Sequence, residues 1–260
     1  MKHNIILAGL FASSISLPAY ASHYAPAAGQ FGSTAISKDD ALITSWATGF
    51  ENYNVGTNVD ATWQTPLKAL GEAQGTSFDI VSLGESGTIT LTFDDAIVNG
   101  FGDDFAVFEN SFDDTFLELA QVSVSSDGIN FFAFSMFSET PSAVSAFGAV
   151  DATNIDGLAG KYRQGWGTGF DLDLLTGIAA LDVSAVSYVR LLDIAGDGSV
   201  LDANGNPIYD PTLTVGSGGF DLDAIGVLNS ASTVVPIPAS IWLFGSGLLA
   251  LISICRKKQA

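Results

Sequence analysis

Thr88-Ile89-Thr90-Leu91-Thr92-Phe93 alternates hydroxyl and apolar side chains without a break. In a strand successive side chains point to opposite faces, so Ile89, Leu91 and Phe93 share one face and the three threonines the other. Residues 104–109 form a second run, with Phe105 and Val107 on one side and Ala106 and Phe108 on the other, which reads as a strand covered on both faces. Residues 121–125 alternate again. Asp127-Gly128 then supplies the positive-φ chemistry of a tight turn and returns the chain through residues 131–134 as a hairpin. Residues 186–194 and 220–228 complete the strong strand candidates. Helical periodicity is scarce, and residues 38–47 and 65–70 are expected to hold short turns at most. Many short strands separated by Gly and Asp, with no alternation of strands and helices, predict an all-β fold. The expected architecture is an antiparallel two-sheet sandwich, jelly-roll-like, over residues 22–232.

The chain of 260 residues carries 28 Asp plus Glu against 9 Lys plus Arg, a formal net charge of -19. A field of that sign repels phosphate backbones and excludes a nucleic-acid partner. The single Cys excludes a disulfide within the chain. Hydrophobic content of 47% is too high for a disordered chain.

Both ends read as targeting segments. Residues 1–21 open with Lys2 and His3, continue through an apolar stretch and finish at Ala19-Tyr20-Ala21, the small residues that signal peptidase reads, so residues 1–21 are expected to be a signal peptide. At the other end, Val235-Pro236-Ile237-Pro238 precedes an uncharged segment of 17 residues, 239–255, followed at once by Arg256, Lys257 and Lys258. As a helix that segment is about 25 Å long, just enough to cross a bilayer, and the basic triplet would hold the tail in the cytoplasm. Five of the nine basic residues and all 28 acidic ones lie between residues 22 and 235, which puts the mature domain at -23.

The order Pro236, Pro238, then Trp242-Leu243-Phe244-Gly245-Ser246-Gly247-Leu248-Leu249, then a basic cluster, resembles the PEP-CTERM sorting signal of Gram-negative bacteria, with Ile237 where that family has Glu. The resemblance covers residues 233–260. It implies export across the inner membrane, transient anchoring, removal of the helix by an exosortase-type enzyme, and release to the cell surface or an exopolysaccharide matrix. Phrases within the domain, including Gly102-Asp103-Asp104-Phe105-Ala106-Val107-Phe108-Glu109-Asn110 and Gly219-Phe220-Asp221-Leu222-Asp223-Ala224, resemble an uncharacterised bacterial cell-surface domain. That resemblance implies an extracellular β-sandwich similar in style to carbohydrate-binding modules.

The mature domain retains one histidine, His23, and no cysteine, so neither a Ser-His-Asp apparatus nor a His/Cys zinc site can be built from its interior. Carboxylates remain. Asp-Leu-Asp occurs twice, at 171–173 and 221–223, and in a strand each pair would share a face. Like charges side by side call for a cation or for hydrogen-bond donors. Calcium takes six to eight hard oxygens in loose geometry, and Asp103, Asp104, Glu109, Asp221 and Asp223 are the expected ligands of one or two calcium sites; the alternative is solvated turn and edge carboxylates. The segment 193–206 fails as a calcium-binding loop of the EF-hand type because Gly, Pro207 and Leu213 stand at the wrong positions, and it reads as a long surface loop.

Tyr162, Trp166 and Tyr209 are candidate sugar-stacking residues, or else loop aromatics folded onto the sandwich. Arg190 is expected to pair with a buried carboxylate. The favoured function is a non-enzymatic surface module that binds glycan or matrix. The alternatives are a carboxylate-dependent glycoside hydrolase or lyase, with Glu109 as one acid, and a structural matrix component without a specific ligand.

Overall fold

The computed structural model describes residues 24–76 and 78–231. The predicted signal peptide, its cleavage residues Ala19 and Ala21, the Pro236–Pro238 motif, the 239–255 span and the basic tail all lie outside the described residues. Among the described residues no helix is long and apolar enough to cross a membrane.

Among the described residues fifteen strands follow in chain order: β1 Ile36–Ser37, β2 Ser45–Trp46, β3 Gly49–Asn54, β4 Val81–Ser82, β5 Thr88–Ile97, β6 Phe105–Glu109, β7 Ala120–Ser125, β8 Phe132–Ala133, β9 Phe137–Ser138, β10 Ile155–Asp156, β11 Trp166–Phe170, β12 Val186–Asp193, β13 Asp197–Leu201, β14 Pro207–Tyr209 and β15 Asp221–Val227. Two antiparallel sheets share one core, consistent with a β-sandwich. The first runs β1-β11-β6-β15-β2, with β4 also on β15, and the second runs β3-β5-β12-β7-β8. Two short ribbons, β9 with β10 and β13 with β14, complete the strands.

The alternating stretch behaves as its period requires. Ile89 and Leu91 are fully buried, paired with Leu191 and Val189 of β12. They meet Phe105, Val107, Leu222, Ile225 and Val227 of the first sheet in one apolar cluster. Phe105 lies at its centre, with its ring stacked on Phe170 at 5.4 Å and edge-on to Phe134 at 6.0 Å. All five residues of β6 are buried, because the opposite face of the first sheet is covered too: Phe108 and Ala224 pack with Ile36 and Trp46 from the segment before β3.

The hairpin forms as expected, with Val124 opposite Phe132. Gly128 adopts φ 74°, and Asp127 accepts from the N–H groups of Ile129 and Asn130, both at 2.8 Å. The segment 65–70 holds the 3-10 helix Pro66–Ala69, whereas 38–47 forms turns leading into β2. The segment expected as a long surface loop forms the β13–β14 ribbon instead. There Asp202 accepts from the N–H groups of Asn204 and Asn206, at 2.9 and 2.7 Å, and so makes the turn from its own carboxylate.

Replacing Phe105 by Ala removes the ring on which Phe170 and Phe134 close, and should cost about 3–5 kcal/mol. Phe101→Ala, at a residue 102% exposed, should leave stability unchanged. Paired urea denaturation curves check both.

Candidate functional site

The carboxylates expected as calcium ligands separate to the two ends of β6. Asp103 and Asp104 precede the strand and Glu109 ends it, roughly 16 Å away at about 3.3 Å per residue. Asp104 is a structural tie. One oxygen accepts from Gly100 N–H at 2.7 Å and from the Asn229 amide at 2.9 Å, and the other from Leu172 N–H at 2.7 Å. Asp223 is likewise committed, one oxygen to Gln74 N–H at 2.9 Å and the other to Gly75 N–H at 2.7 Å. Among the described residues no three Asp, Glu, His or Cys side chains are grouped so as to hold a metal ion. The five predicted ligands therefore do not form a single calcium cage.

The Asp171/Asp173 pair is not in a strand. Asp171 caps the 3-10 helix Leu172–Leu175 by accepting from Asp173 N–H, while Asp173 accepts from the Asn99 amide at 2.7 Å. Gly219 is packed against a protein carboxylate: a Cβ there would lie 2.6 Å from Asp193 Oδ1, and φ is +71°. The predicted aromatic set is dispersed. Tyr162 is buried, its hydroxyl 2.9 Å from Thr34 Oγ1; Trp166 is half-buried in β11; Tyr209 is half-buried in the β13–β14 ribbon. Arg190 has no carboxylate partner among the described ion pairs. Its guanidinium lies 3.5 Å from the centroid of Phe131, and its Nε donates to Thr90 at 3.2 Å.

Glu109 and Asp221 do come together. Where β6 ends and β15 begins, Glu109 lies opposite Leu222, and a cleft of about 180 Å³ opens beside them. Its acidic side is formed by Glu109, Glu118 and Asp221, and among the described residues no basic side chain lines it. Glu109 accepts from Ser111 N–H at 2.7 Å, Glu118 from the Thr214 hydroxyl at 2.7 Å, and Asp221 from the Ser82 hydroxyl. Asn110, between the strand end and the rim, presents a buried Oδ1 with no hydrogen-bond partner. The rim is aromatic. Phe116 stacks on Phe112 at 4.7 Å and on Phe147 at 5.9 Å, and Phe112, Phe147 and Phe78 remain 57%, 73% and 76% exposed. Such a cluster of exposed rings is uncommon on a soluble surface unless something covers it.

Burial holds all three acids toward the protonated form. Glu109 and Glu118 are raised well above the ordinary carboxyl range, first by loss of solvent and then by the neighbouring Asp221. Asp221 is pushed up to about 7 by burial. Glu118 and the phenylalanine rim were not singled out from the sequence, although Phe112 and Phe116 stand four apart among acids just after the β6 run.

No protein-family model and no curated protein matches the chain.

A carboxyl whose folded pKa is raised stabilises the fold while it is protonated, and that contribution is lost as pH rises from the unfolded value near 4 through the folded one. Asp193, raised by burial to about 7, acts with Asp221 in this window. Thermal unfolding in EDTA should therefore show a Tm roughly 5 °C or more lower at pH 8 than at pH 5. Glu118→Gln, which keeps an acceptor for Thr214 and removes one charge beside Asp221, should shrink that difference.

Proposed function

We propose that this protein is an exported surface module whose aromatic-rimmed acidic cleft binds a neutral glycan. The observation that carries the reading is the juxtaposition of the stacked Phe112, Phe116 and Phe147 rings with the carboxyl and amide groups of Glu109, Glu118, Asp221 and Asn110. Sugar rings carry C–H faces that pack against aromatic rings, and their hydroxyls donate to carboxylate and amide oxygens. The mature charge of -23 disfavours polymers rich in uronic acid. The interleaved strand orders, in which the chain passes repeatedly between β2-β15-β6-β11 and β5-β12-β7-β8, support a jelly-roll sandwich, an architecture found among lectins. The signal-peptide pattern and the PEP-CTERM-like tail support delivery to the cell surface or an exopolysaccharide matrix through signal peptidase and an exosortase-type enzyme. The reading requires no calcium.

One observation favours a second reading. Glu109 and Asp221 share a cleft in which burial favours the protonated acid, and an acid of that kind beside a second carboxyl is what a glycoside hydrolase uses. A glycan array of neutral and uronic-acid oligosaccharides, followed by calorimetry on the strongest neutral ligand, separates the outcomes. Retention of intact neutral sugars is expected, with the Phe112→Ala/Phe147→Ala double variant binding at least tenfold more weakly, a loss of about 1.4 kcal/mol. Release of reducing ends would replace the module with the hydrolase, and no retention would leave a structural matrix component.

A further inference from the structure

A second cavity, of about 480 Å³, lies at the other end of β6 and takes no part in the cleft described above. Its walls are apolar on one side, where the rings of Phe134 and Phe170 meet at 5.0 Å with an interplanar angle of 56°, and Phe137 and Tyr162 extend the surface. The polar side holds Asp103, Asp156 and Asp171 against a single cation, Lys161.

That cation is already engaged. Lys161 Nζ donates to the Ile155 carbonyl at 2.7 Å, stands 4.0 Å from Asp156, and lies over the rings of Tyr24 and Tyr162 at 5.9 and 5.7 Å. Among the described residues neither Asp103 nor Asp171 has an ion-pair partner. Among the described residues no hydrogen-bond donor meets the Asp103 carboxylate, which rests over Gly169, where a Cβ would lie 2.1 Å from Oδ2. The glycine in β11 thus makes the space in which this carboxylate sits. Thr168, 7% exposed, lines the same cavity with a buried Oγ1 that has no partner. A buried hydroxyl left unpaired is costly, and its natural complement is a ligand group.

We infer that this cavity binds a small organic ammonium ion, its charge held between the Asp103 carboxylate and the Phe134–Phe170 corner, and a hydroxyl or N–H of the ligand paired with Thr168 Oγ1. Cations are attracted to the faces of aromatic rings as well as to carboxylates, and a volume of this size suits a compact organic ligand. The inference is independent of the glycan reading. The cavity and the cleft share no lining residue.

Choline and its uncharged isostere 3,3-dimethyl-1-butanol test it, with saturation-transfer NMR and calorimetry on the full chain. Choline should bind, and the isostere at least tenfold more weakly. Asp103→Asn should weaken choline at least tenfold, and Gly169→Ala, which displaces the carboxylate, should do the same. The Phe112→Ala/Phe147→Ala variant should bind choline as the wild type does. Burial and the charges of Asp171 and Asp104 push Asp103 up to about 6. With Asp156 and Lys161 also facing the cavity, affinity should fall as pH drops below that value and Asp103 takes up its proton. Equal binding of choline and the isostere, no choline binding at pH 8, or unchanged affinity in a folded Asp103→Asn variant would overturn the proposal.

Discussion

A backbone N–H that leaves solvent without a strand partner must find another acceptor. In this protein the acceptor is repeatedly a buried aspartate. Asp193 accepts from Ser86 and Phe220 N–H at 2.8 and 2.7 Å, Asp210 from Leu119 N–H at 2.7 Å, Asp104 from Gly100 and Leu172, and Asp223 from Gln74 and Gly75. Each joins loop backbone to a segment far away in sequence. The strands are short and the connections long, so the sandwich depends on these carboxylates for the order that a sheet ladder supplies elsewhere.

This places much of the negative charge inward. From composition, so many acids on so few cations imply either metal ions or a solvated surface. A third arrangement is present as well: carboxylates buried against peptide N–H groups, each a hydrogen-bonding hub. The arrangement is costly, since burial pushes Asp193 to about 7 and Asp210 well above the usual range even with those donors in place. Charge-assisted hydrogen bonds offset part of the desolvation.

The strands that were legible in the sequence carry a simple side-chain pattern: residues 88–93 and 121–125 alternate, and β6 is apolar up to its terminal Glu109 because both its faces are covered. The strand β11 was not legible. Its Trp, Thr and Phe favour a strand, but the two glycines between them interrupt the signal, and the reason for those glycines lies in the packing: a Cβ on Gly167 would meet the Phe108 ring at 2.9 Å, and one on Gly169 would meet the Asp103 carboxylate. The site divides in the same way. Glu109 and Asp221 were visible as acids bordering strands, but the rim was not, because Phe147 reaches Phe116 across a long intervening stretch with no periodic signal. Asp104 and Asp223 looked equally suited to a ligand, and only the tertiary contacts show their oxygens engaged.

The position of β15 has a consequence for how the chain comes to be folded. It is the last strand among the described residues, yet it lies inside the first sheet, between β6 and β2, with β4 paired to it as well. During synthesis the N-terminal side of that sheet waits with unsatisfied edges until residues 221–227 emerge, and exposed strand edges are the features through which incomplete chains associate. The first sheet therefore cannot close until those residues are in place.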